Sequence, residues 1–242
     1  MVKKSLLFLL LFFPATFLRP DAIADDHKVI TYGLIDKLLL TQEGNDVALP
    51  AFDLLHLALS GYDLLKQDNF INRPEVITII DFSLPSTSER LWVIDLDQAK
   101  VLFHSLVSHG RNSGELMAEN FSNTPGSFTS SPGFYTTGET YFGQHGLSLK
   151  LNGLEKGIND KARERAIVIH GADYVTPDFI SKHGRLGRSH GCPAVPTQLS
   201  KEIIETIKDG SCLFIYVPKD SYTSKSQIIS KIASIKLDTQ HL

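Results

Sequence analysis

The chain has 242 residues, a formal net charge of −3 and two cysteines. A mildly acidic chain without a basic tract gives no reason to expect nucleic acid, because phosphate binding draws on clustered Lys and Arg. No cationic amphipathic helix argues for a lipid surface either.

In chain order, residues 1–24 read as a secretory signal peptide. Lys3 and Lys4 precede the apolar run Leu6 to Phe13, Pro14 breaks it, and Ala22-Ile23-Ala24 is a small-x-small cleavage signal. The apolar run is short for a bilayer span. No cysteine lies near the cleavage site, so no lipid anchor is expected. Cleavage after Ala24 removes Lys3, Lys4 and Arg19 against Asp21, taking the net charge from −3 to −5. The expectation is a periplasmic or otherwise exported protein with no stable membrane insertion, long enough for one domain with a full core.

Residues 25–75 read as an N-terminal helical segment. Within it, Phe52, Leu55, Leu59 and Tyr62 recur at three- and four-residue spacing after Pro50, which predicts an amphipathic helix over 50–67. His56 lies in that helix and reads as structural. From Val76 the period changes to strands: "VITIIDFS", "RLWVIDL", "KVLFHSLVSHG", "GFYTTGETY", "GLSLKL", "RAIVIHG" and "SCLFIYVP". The short "DLDQAK" between the second and third is a hairpin signal. The stretch 110–131 is rich in Gly, Ser and Asn and reads as a functional loop. "PTQLSKEIIETIKDG", with Ile203, Ile204 and Ile207 bounded by Pro196 and Gly210, reads as a short helix. Residues 219–242 read as a polar, loosely held tail. The fold class is therefore mainly β over 76–218, with one or two short helices beyond the N-terminal segment.

The two cysteines differ in setting. Cys212 lies in "SCLFIYVP" and reads as a buried apolar side chain, whereas Cys192 sits in "GRLGRSHGCPAVP", a Gly/Pro/His/Ser run no core strand would choose. A mutual disulfide is the alternative for an exported chain; a reactive Cys192 and two free thiols are favoured. A thiol nucleophile needs a base, a group that holds the base, and donors for an oxyanion. Five histidines precede glycine: His109, His145, His170, His183 and His190. Of these, His170 ends a strong strand and His190 opens the cysteine turn. His170 can serve as base, a neighbouring carbonyl can fix its tautomer, and the N–H groups of Gly191 and Cys192 can serve as donors. His109 is a candidate to support the site from behind. His104 and His145 read as structural, and Trp92 as core.

"IHG" followed by "SHGC" resembles the catalytic signature of the YkuD-type L,D-transpeptidases, over roughly Val76 to Pro218. "SSPGFYTTGETY" stands where such domains carry a Pro-x-Gly-x-Phe/Tyr strand. "HGLSLKLNGLEKGIND" with "GCPAVP" resembles a subgroup of exported murein enzymes. The resemblance implies a β-sandwich or barrel and a Cys192 nucleophile with His170 as base. Gly171 would supply the carbonyl that orients the base, and Ser189, His190 and Gly191 would shape the turn and oxyanion site. It implies acylation of the cysteine by a peptidoglycan stem peptide and transfer to a second stem's amine, with no cofactor. Pro193-Ala194-Val195 follow the cysteine where the common pattern has an apolar residue and then Arg or Asn. Arg185 and Arg188 are the candidates to hold stem carboxylates in its place, and Tyr135 and Tyr141 to line the acyl site. Three alternatives remain: hydrolysis of the same bond, a non-catalytic wall-binding protein, and a zinc peptidase using His170, His183, His190 and Cys192. The last lacks the usual ligand spacing.

Overall fold

The computed structural model describes residues 33–41 and 47–238; the expected signal peptide lies outside them. Among the described residues are six helices and eight strands. In chain order they are α1 (33–41), α2 (Phe52–Gln67), β1 (Val76–Asp81), β2 (Leu91–Asp95), β3 (Lys100–Ser105), β4 (Gly133–Gly143), β5 (Gly146–Gly153), β6 (Val168–Ala172), α3 (Pro177–His183), β7 (Ala194–Pro196), α4 (Thr197–Ile207), β8 (Cys212–Tyr216), α5 (Asp220–Thr223) and α6 (Gln227–Asp238).

All eight strands form one sheet in the order β3-β2-β1-β8-β4-β5-β6-β7. The chain leaving β3 crosses to the opposite edge, where Ser108 bridges Ala194 and Gly110 bridges Ser189. The sheet thus nearly closes on itself; the mainly-β fold read from the strand pattern is present, in the barrel form that the resemblance implied. The expected β2–β3 hairpin turns where the Asp95 side chain accepts the Gln98 N–H at 2.8 Å. Helix α4 buries Ile203, Ile204 and Ile207 and touches β1, β5, β6 and β7. Because these strands come from distant places in the sheet, α4 fills its concave side.

Helix α2 covers β4 and β8. Leu55, Leu59 and Tyr62 are buried as the spacing predicts, with Leu54, Ala58 and Leu65 widening the stripe, whereas Phe52 is 51% exposed. A Cβ on Gly61 would stand 2.1 Å from the Phe134 ring, which itself stacks on Phe214 at 4.1 Å between centroids. Glycine is what lets the helix seat on those rings.

Two expectations need correction. The strand read from Arg165 begins only at Val168, because Ala166 adopts a positive φ of 53° and the Ile167 N–H turns back to the Ala162 carbonyl at 2.9 Å. The one or two short helices expected within 76–218 are α3 and α4. Of these, α3 carries its own signals: Thr176 accepts the Phe179 N–H, Pro177 opens it and Gly184 closes it in the left-handed region. The described residues after Pro218, up to 238, are not a loose tail, since they form α5 and α6. Tyr222 and Ser226 there are buried and both donate to the Glu155 carboxylate.

Candidate active site

Cys192 enters β7 from a turn that the sequence constrains at each step. The Ser189 hydroxyl donates to the Cys192 carbonyl at 2.6 Å and accepts the Gly191 N–H at 3.0 Å. Gly191 has φ of 121°, and a Cβ there would meet the Thr129 carbonyl at 2.7 Å, so the position requires glycine. Its carbonyl accepts the Ser130 hydroxyl at 3.1 Å. Gly191 is therefore fully engaged, and its expected service as an oxyanion donor is corrected: Ser189 already holds that N–H. The Cys192 N–H, by contrast, has no hydrogen-bond partner among the described residues.

The thiol faces a cleft of about 440 Å³ whose walls include His170, His145, Tyr141, Arg165 and Arg188. The Val168 N–H points at Sγ from 3.5 Å, and Sγ lies 3.7 Å from the Ala166 carbonyl. Burial pushes the thiol above the ordinary cysteine range, while the Val168 N–H and Arg165 oppose that shift. Cys212 is fully buried in β8 and the two thiols are free.

His170 sits mid-strand in β6, opposite Ser148 of β5 and Ala194 of β7. Its Nδ1 lies 2.9 Å from the Gly171 carbonyl. With Nδ1–H donating, Nε2 keeps its lone pair, the arrangement a base requires. Gly171 has a second role, since a Cβ there would stand 2.7 Å from Ser200 Oγ in α4. Burial holds the imidazolium of His170 below the usual histidine range; the Gly171 carbonyl opposes this and His145 adds to it. Both shifts favour a neutral thiol and a neutral imidazole at rest.

The structure separates the remaining candidates. His190 is exposed and packs on Phe128 at 4.6 Å between centroids. Tyr141 lines the cleft, but Tyr135 does not: it is fully buried and donates to the Ser131 carbonyl at 2.8 Å. The cause is a register shift between Thr137 and Thr140, a bulge that reverses which face the later residues of β4 present. Arg185 lies outside the cleft lining and Arg188 within it, and both are paired with Glu115. Arg188 also donates to the Arg111 and Gly114 carbonyls at 3.1 and 3.0 Å. Neither guanidinium is a free carboxylate fork. His183 packs against Phe179 in α3 with the rings tilted, and no cluster of three metal-ligating side chains exists among the described residues.

Two cleft residues escaped the sequence reading. His145, in the β4–β5 turn, stacks on His170 at 4.4 Å and 22°; nothing in a His-Gly pair marks it. Arg165 reaches the cleft from the loop before β6. Its one sequence signal is its place as the first residue of "RAIVIHG", the run that delivers His170.

A buried, tautomer-fixed imidazole and a thiol that line one cleft on a nearly closed sheet make a cysteine–histidine site capable of nucleophilic acyl chemistry. Residues 48–216 match the family model of the L,D-transpeptidase catalytic domain, and the chain belongs to that family. The match takes in α2. Solved structures similar to the chain include an L,D-transpeptidase from Mycobacterium smegmatis (13% identity, TM-score 0.37, 59% of this chain and 59% of that one). They also include the helical cell shape determining protein Pgp2 from Campylobacter jejuni (14%, 0.39, 60% and 48%) and L,D-transpeptidase 3 from Mycobacterium tuberculosis (12%, 0.39, 59% and 61%). The matched region thus spans about half to three fifths of the length of those chains. No curated protein matches the chain.

Proposed function

We propose that this protein is an exported L,D-transpeptidase that acts on peptidoglycan stem peptides through a Cys192 thioester, within the subgroup that carries a GCPAVP nucleophile motif. The observation that carries the reading is the pairing, in one cleft, of the Cys192 thiol with a His170 ring held by the Gly171 carbonyl. The thiol proton passes to His170 Nε2, and the sulfur adds to the donor carbonyl carbon. The oxyanion that forms is met by the unpartnered Cys192 N–H. As the C–N bond breaks, His170 returns the proton to the departing amine and leaves a thioester. The acceptor stem's amine then attacks the thioester, His170 takes its proton, and the thiolate leaves and is reprotonated. Export is supported by the signal-like residues 1–24.

The test incubates mature protein with a disaccharide-tetrapeptide, with and without an acceptor stem, and reads products by mass. A cross-linked product that disappears in Cys192→Ala is expected. Only a trimmed tripeptide would replace the transferase reading with a hydrolase, and unchanged substrate would overturn the proposal. A carbapenem should add one ligand mass to the Cys192 peptide and none to the Cys212 peptide.

A further inference from the structure

Arginines 73, 163, 185 and 188 each contact a glutamate. Arg165 does not. Its Nη1 donates to the Ser122 carbonyl at 2.7 Å and Ser131 Oγ at 2.9 Å, and its Nη2 to the Thr129 carbonyl at 2.6 Å and Ser127 Oγ at 3.3 Å. Every one of these acceptors is neutral, so the guanidinium is half-buried with its charge uncompensated. Both Nη atoms are also committed, which leaves no fork for a bidentate carboxylate. The charge is fixed beside the nucleophile: Nη2 is 3.4 Å from the point a Gly191 Cβ would occupy, and Arg165 and Cys192 line the same cleft.

We infer that Arg165 is a positioning residue that stabilises the Cys192 thiolate by a preorganised positive charge rather than by binding substrate. The inference rests on the reading of Cys192 as a nucleophile. A thiolate beside the neutral His170 would be disfavoured by its surroundings, and a guanidinium locked on neutral oxygens offsets this without moving during the reaction. The other ionisable groups at the cleft are His145, His170, His190, Tyr141, Tyr174 and Arg188. No carboxylate is among them, and the charge of Arg188 is met by Glu115.

Arg165 also ties the 122–131 loop to the start of β6, so the test must separate charge from anchoring. The rate of Cys192 alkylation by iodoacetamide is followed against pH, with the modified peptide identified by mass. Arg165→Gln should raise the midpoint by about one pH unit or more, while Arg165→Lys, which keeps the charge, should stay near wild type. Ser131→Ala removes one anchor and keeps the charge, and should leave the midpoint in place. If Arg165→Gln does not fold, Ser127→Asp sets a carboxylate against the guanidinium and should raise the midpoint likewise. A folded Arg165→Gln with the wild-type midpoint, or an equal rise in Ser131→Ala, overturns the role of Arg165 alone. Absence of pH-dependent alkylation in wild type overturns the nucleophile reading and this inference together.

Discussion

His170 is fixed on two sides, by the Gly171 carbonyl at Nδ1 and by the His145 ring on its face. His190 is exposed and lies against Phe128. On the proposed mechanism, position gives the proton transfer to His170. His170→Ala should slow acylation of Cys192 by two to four orders of magnitude, the usual loss for a general base, so roughly 10²–10⁴. His190→Gln should retain a measurable fraction, provided variants of matched melting temperature are compared by intact-mass acylation rates. An inactive His190→Gln beside an active His170→Ala would reverse the two roles.

At the scale of elements, Gly61 is the clearest case of sequence economy misread by propensity alone. An exposed helix gains up to about 1 kcal/mol when glycine becomes alanine. Here the added methyl would enter the Phe134 ring, and overpacking of that kind costs about 1–3 kcal/mol. Gly61→Ala should therefore lower the melting temperature, as read by circular dichroism. The strands themselves were legible because Val, Ile and aromatic runs are bounded by turn residues, and α4 because Ile203, Ile204 and Ile207 share one face. His170 and Cys192 were legible through their motif. Tyr135 was misplaced because a bulge between Thr137 and Thr140 leaves no mark on apolar alternation. Arg165 was hidden because its release from the strand depends on the backbone of Ala166. Helices α5 and α6 escaped because their anchor, Glu155, lies far away in sequence.

At the scale of the whole molecule, a buried pair sets an acid limit. Arg90 is completely buried, and its Nη2 donates to His109 Nδ1 at 2.9 Å. His109 is therefore neutral, with Nε2 facing the Gly114 carbonyl at 3.3 Å. Burial first, and then Arg90, push its pKa down to about 4. Below the unfolded value near 6.5 the unfolded chain takes up a proton that the folded one refuses. The stabilisation is thus complete above about pH 6.5 and is lost as pH falls toward 4, about 3 kcal/mol in all. His109→Gln can keep both hydrogen bonds without titrating. Urea unfolding across that window should show a shallower acid slope for it than for wild type, and equal slopes would refute the assignment.

The closing bridges of the sheet bear on when the Cys192 turn takes shape. Ser108 and Gly110 join the two edges at Ala194 and Ser189, and Ser130 grips Gly191, so the turn that displays the thiol is held by segments far upstream. Contacts of such sequence separation form late, because loop closure must precede their reward. A chain still folding carries its cysteine in an unshaped loop. On the proposed mechanism, the shaping of the nucleophile's turn therefore waits on closure of the sheet, and an unfinished molecule presents its thiol without the His170 and Arg165 setting.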